Sequence, residues 1–123
     1  MVVIKPSVVI KPSYAIAAAA GWDHHLVIRP GGSVEAYGDN YFGQCNVPPG
    51  LTATAVGCGR WHSLAIRPDG TVAAWGRNNN GQCNVPAGLT ATAVDGSCTA
   101  SLALRSNGSV AQWGHLCAYY IAS

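Results

Sequence analysis

Four histidines, five cysteines and five carboxylates are the residues of this 123-residue chain that carry reactive chemistry. A histidine set between a nucleophile and a carboxylate would give acid–base catalysis. Histidine and cysteine at close spacing would hold a metal. Neither pattern is assembled. His24 and His62 are isolated from each other, and His25 and His115 have no nearby nucleophile and carboxylate in matching segments. Asp23, Glu35, Asp39, Asp69 and Asp95 are spread along the chain, so no carboxylate pair for hydrolysis emerges. Cys45, Cys58, Cys83, Cys98 and Cys117 never adopt C-x-x-C spacing, which leaves a structural zinc site unsupported. They read as buried thiols, with a Cys58–Cys98 bridge or a bridge between chains as the alternative. No glycine-rich cradle leads into a helix to hold phosphate. The expectation is a non-catalytic protein with no metal site and no cofactor.

Binding is the chemistry left, and it shows where matching segments differ. Asp39-Asn40-Tyr41-Phe42 in one segment corresponds to Arg77-Asn78-Asn79-Asn80 in the next. Trp22 and Trp61 lie just before the two isolated histidines. Aromatic side chains bury large area at little rotamer cost, so Tyr41, Phe42, Trp22 and Trp61 are the candidate protein-binding residues. Packing between structural units is the competing role for all four. Tyr37, Trp75 and Trp113 share one position in three segments and read as core.

The segments themselves form a repeat. Gly43–Val56 reads GQCNVPPGLTATAV and Gly81–Val94 reads GQCNVPAGLTATAV, 38 residues apart. Gly21, His24, Leu26, Ile28, Gly32, Val34 and Gly38 recur as Gly59, His62, Leu64, Ile66, Gly70, Val72 and Gly76. A third copy keeps Ser101, Leu102, Leu104, Gly108, Val110 and Trp113. Such a period marks stacked or radial units that bury apolar surface only against a neighbour. The expected divisions are an extension over 1–13 with a doubled VVIKPS, repeats over 14–50, 51–88 and 89–114, and a degenerate tail over 115–123.

Each unit reads as short strands. Thr71–Trp75 and its equivalents follow hairpin signals at Gly31-Gly32, Asp69-Gly70 and Asn107-Gly108. Further strands are expected at Ala53–Val56 and Ala91–Val94, and the alanine-rich Ala15–Ala20 suits a crowded place where sheets converge. No stretch keeps helical periodicity. The fold class is all-β, a partial β-propeller of about three four-stranded antiparallel blades.

The string GRWHSLAIRPDGTVAAWG (Gly59–Gly76), with degenerate copies at Gly21–Gly38 and Ser97–Gly114, resembles the repeat of the regulator-of-chromosome-condensation family. The short spacing and the G-Q-C-N-V-P linker resemble bacterial members, among them the propeller-type β-lactamase inhibitory protein. The resemblance covers about Tyr14 to Gly114 and implies a propeller, a scaffold that hosts exchange factors, enzyme inhibitors, a plant ultraviolet photoreceptor and bacterial surface proteins. It also implies that His24 and His62 hydrogen-bond neighbouring backbone. Secretion or a cell-surface location would fit the bacterial relatives.

Family propellers close with about seven units, and three would leave two flanks in water. Three arrangements cover them: a homo-oligomer of two or three copies, a longer propeller of which this is part, or a protein partner. Hydrophobic residues make up 49% and charged residues 10%, which suits a chain that hides much of its surface. The net charge of +2 is scattered, so a nucleic-acid partner is not expected. Lys5, Pro6, Lys11 and Pro12 interrupt the best apolar run, so neither is membrane insertion. The rival class is a structural subunit of a larger assembly, whose rim binds nothing.

Overall fold

The computed structural model describes residues 15–115; the doubled hexamer lies outside them. Nine strands form three sheets in strict chain order. Blade 1 holds β1 (Ala17–Ala20), β2 (His24–Ile28) and β3 (Val34–Gly38). Blade 2 holds β4 (Ala55–Cys58), β5 (His62–Ile66) and β6 (Val72–Gly76). Blade 3 holds β7 (Ala93–Gly96), β8 (Thr99–Leu104) and β9 (Val110–His115). All pairings are antiparallel, with Leu26 opposite Ala36 and Leu64 opposite Ala74 in the same register.

The hairpins follow from their turn residues. Asp69 Oδ1 accepts from the amide of Thr71 at 3.0 Å, and Gly70 adopts φ +89°. A β-carbon disfavours that φ, so glycine closes the turn. Asn107 Oδ1 accepts from the Ser109 amide at 2.9 Å in the same way, which gives this asparagine a turn role.

Each blade has three strands where four were expected. The fourth place is held by single bridges, Ser33 with Thr52 and Thr71 with Thr90. Each bridge rests on a hydrogen bond between linker and hairpin. The amide of Ala53 donates to the carbonyl of Gly32 in the preceding hairpin at 2.8 Å, and Ala91 donates to Gly70 at 2.9 Å. The linker is thereby tied to one blade before it enters the next, and β4 and β7 begin two residues later than the sequence suggests.

The core lies between blades. Leu26, Ile28 and Val34 of blade 1 pack against Leu51, Ala53, Cys58, Ala65, Ala73 and Trp75 of blade 2. Leu64, Ile66 and Val72 of blade 2 pack likewise against Leu89, Ala91, Ala103, Ala111 and Trp113 of blade 3. Blades 1 and 2 thus offer a bulky trailing flank, and blades 2 and 3 receive it on a leading flank of small residues plus one indole. Each buried aliphatic contributes roughly 1.5–3 kcal/mol.

The two outer flanks differ in kind. On blade 3 the trailing residues Leu104 and Val110 are 41% and 61% exposed, and with Val94 and Leu102 they line a groove of about 200 Å³. On blade 1 the leading flank is polar. Glu35 stands where blades 2 and 3 have Ala73 and Ala111, and it pairs with Arg29 at 2.9 Å and accepts from the Tyr37 hydroxyl. Tyr37 is 44% exposed and stacks on His25. Its two counterparts, Trp75 and Trp113, are buried core as expected, but Tyr37 is not, because among the described residues no blade covers that flank.

Candidate functional site

In each sheet the start of the middle strand pairs with the end of the third, His24 with Gly38 and His62 with Gly76. The turns 21–23 and 59–61 and the linkers leaving β3 and β6 therefore share one rim, opposite the hairpins. The linkers are stapled by their own side chains. Asn40 donates to Asn46 Oδ1 at 2.9 Å, Cys45 N donates to Asn40 Oδ1 at 2.7 Å, and Asn78 and Asn84 repeat the arrangement. Buried Gln44 accepts from the Phe42 amide at 2.8 Å and donates to Asp39 at 2.9 Å. These bonds hold Tyr41 and Phe42 on a fixed loop.

All four aromatics singled out in the sequence come to this rim. Tyr41 is 83% exposed and Trp22 52% exposed. Phe42 meets Tyr41 edge-on at 4.9 Å and Trp61 at 5.6 Å. Two arginines complete the cluster. The Arg60 guanidinium lies 4.0 Å from the Trp22 ring centre and 4.1 Å from that of Trp61. The Arg77 guanidinium lies 4.6 Å from the Trp61 centre and 5.0 Å from that of Phe42. The result is a ladder of rings and cations across two blades, in which Phe42 also touches Trp61 directly. Sequence reading found its rings and missed its cations, which looked scattered. The usable signal was Trp22 and Arg60 at one repeat position, since equivalent positions in adjacent blades become neighbours.

Beneath the rim, histidine joins the blades. His24 Nε2 lies 3.0 Å from Ser63 Oγ, and His62 Nε2 lies 2.9 Å from Ser101 Oγ. Ser63 donates to the Gln44 carbonyl at 2.7 Å, and Trp75 Nε1 donates to the same oxygen at 2.9 Å. Ser101, Gln82 and Trp113 repeat this at the second junction. The serine proton is used on the carbonyl, so Nε2 carries the hydrogen that points at the serine oxygen. The resemblance implied that the ring hydrogen-bonds neighbouring backbone; here Nε2 meets a serine hydroxyl of the next blade, and the backbone of that blade, at His62 and Ala100, also acts on His24 and His62. Burial pushes His62 down to about 4 and lowers His24 as well.

The cysteines are placed for packing. Cys45, Cys58 and Cys83 are free thiols, so Cys58 does not bridge to Cys98, which is disulfide-bonded. Burial pushes Cys58 up to about 12 and Cys83 up to about 11, and both stay protonated near neutral pH. Among the described residues no helix is long and apolar enough to cross a membrane.

Comparison with curated proteins gives no match. Solved structures match closely in shape. The ectodomain of the Physcomitrella patens receptor kinase CR4 aligns with a TM-score of 0.74 at 20% identity, over 85% of this chain and 30% of that one. Prp20p of Saccharomyces cerevisiae, a protein characterised for binding Gsp1p and histones, aligns at 0.74 and 22% identity, over 85% and 32%. Yeast RCC1 (Prp20) bound to Kap60 aligns at 0.73 and 22% identity, over 85% and 30%. The chain thus spans about a third of the length of these structures. Residues 53–82, which include β4 to β6, match the Regulator of chromosome condensation (RCC1) repeat. Residues 53–82 thus carry an RCC1-type repeat, and the three blades with their spacing form an arc of a β-propeller.

Proposed function

We propose that this chain is a non-catalytic protein-interaction module whose rim, centred on Trp22, Trp61, Tyr41 and Phe42, contacts a protein partner. The observation that carries the reading is the exposed ring-and-cation ladder on stapled loops. Repeat-matching residues build the scaffold, while Trp22, Tyr41 and Phe42, which have no counterpart of their kind in the next unit, gather at the rim. Binding of Gsp1p and histones by Prp20p, a protein of the same fold, is consistent with a rim that engages proteins. Rigid aromatics of this kind supply most of the energy at protein interfaces.

Self-association belongs to the same reading, through blade 3. Head-to-tail ring closure needs the leading flank of blade 1 to receive an apolar face, and there Glu35 and His25 replace alanine and serine. Burying that ion pair is costly. A second copy instead pairs its blade 3 flank with the first by a two-fold axis. This apolar flank is also what a purely structural subunit would use, which keeps that second reading in view.

The test is affinity capture from an extract on the wild-type chain and on Tyr41→Ala/Phe42→Ala. Proteins lost by the variant, at unchanged melting temperature, support a contact role. Capture retained at a lowered melting temperature assigns both rings to packing and removes them from the interface.

A further inference from the structure

We infer that the partner segment taken by this rim is acidic, with carboxylates bound by Arg60 and Arg77; the inference rests on the rim being a protein-binding site. Both guanidiniums lie against Trp61, with Trp22 also beside Arg60 and Phe42 also beside Arg77. Two cations held against one ring repel each other, and an anion beside them relieves that repulsion. A guanidinium resting on rings keeps its in-plane N–H donors for a ligand, the geometry that grips a carboxylate with two parallel hydrogen bonds.

Among the described residues no carboxylate is bound to either guanidinium, and the Nε of each is buried without a hydrogen bond. The nearest acid in sequence to the linker aromatics, Asp39, is already engaged by Gln44 and by the Tyr41 amide at 2.9 and 3.4 Å. An arginine held against rings, with its Nε buried, also loses little rotamer freedom on binding, so the cost of ordering it is met by the fold. Both guanidiniums are therefore positioned and charged, with their edges uncommitted.

An acidic polypeptide fits better than a nucleic acid. Single strands bind by stacking bases on open aromatic faces along a basic groove. Here guanidiniums cover the indole faces, and the chain carries a net charge of only +2. Two cations suit a short run with two or three carboxylates.

The experiment uses the full chain and follows the fluorescence of Trp22 and Trp61 as peptides are added. The probes are an eight-residue peptide of alternating Glu and Gly, its Lys counterpart, and an oligothymidylate. Saturable binding of the Glu peptide is expected, weakened by salt, with none for the Lys peptide. Arg60→Gln and Arg77→Gln should each lower that affinity about tenfold, Arg60→Lys should lower it less, and Arg105→Gln should leave it unchanged. Melting temperatures identify any variant that fails to fold, and the salt titration of the wild type then carries the test. Equal binding of Glu and Lys peptides, no dependence on salt, or full affinity in both Gln variants overturns the inference. Tighter binding of oligothymidylate overturns it in favour of a nucleic acid. If Trp22→Ala and Tyr41→Ala abolish peptide binding while both Gln variants keep it, the acidic preference falls and the protein-binding rim stands. If all four changes leave binding intact, both fall.

Discussion

Ser101 sits between His62 and the Gln82 carbonyl, receiving a hydrogen bond from one and donating to the other. Ser101→Ala removes both bonds and leaves the buried Nε2–H of His62 without a partner. The expected loss is about 1–3 kcal/mol in denaturant unfolding, with the slope unchanged. Acid should act on the same group. The unfolded imidazole titrates near 6.5 and the folded one at about 4, so the unfolded chain takes up the proton first. Stability from this source is complete above pH 6.5 and is lost as pH falls toward 4, up to about 3 kcal/mol. Melting temperatures measured between pH 7 and pH 4 should fall, and His62→Gln should flatten that slope. An identical slope in the variant would place the acid sensitivity elsewhere.

Strands and turns were the most legible elements. Asp69-Gly70 and Asn107-Gly108 name their hairpins because a turn is a local event, decided by φ and one side-chain bond. The start of β4 was not legible, since the amide of Ala53 is taken by a carbonyl twenty-one residues earlier in another blade. Tyr37 misled for a related reason. Its position says core in every unit, and only the neighbour decides whether it is covered. Arg60 and Arg77 escaped notice as site residues because a ladder across blades has no signature along the chain. Where the sheets converge, the requirement is space. A β-carbon on Gly96 would lie 2.3 Å from the Gly59 nitrogen of the adjoining blade, which is backbone and has no rotamer to yield. Gly96→Ala should therefore separate blades 2 and 3 and cost roughly 3 kcal/mol or more, whereas Gly31→Ala, with no neighbouring atom in reach, should bring only the strain of its φ of +97°. Thermal unfolding of the two variants compares crowding with strain directly.

At the scale of the whole molecule the arc is polarised. Its first blade carries an ion pair and a stacked His25–Tyr37 pair. Its last blade presents Leu104 and Val110 on an open groove. Sedimentation of the wild type should show a dimer, and Val110→Asp should convert it to a monomer of equal or greater solubility. Glu35→Ala, on the other flank, should leave the dimer intact. A wild-type chain that stays monomeric at high concentration would remove self-pairing from the account.

The His–Ser–carbonyl–Trp joint has one more consequence, because both copies use the same parts at the same offset. Excising residues 44–81 would bring His24 opposite Ser101, with Gln82 and Trp113 completing the joint that Gln44 and Trp75 now complete. A blade is in this sense a cassette. The near-identical GQCNVP tracts are where recombination between copies would align, so the gene could gain or lose one sector at a time without redesigning a seam.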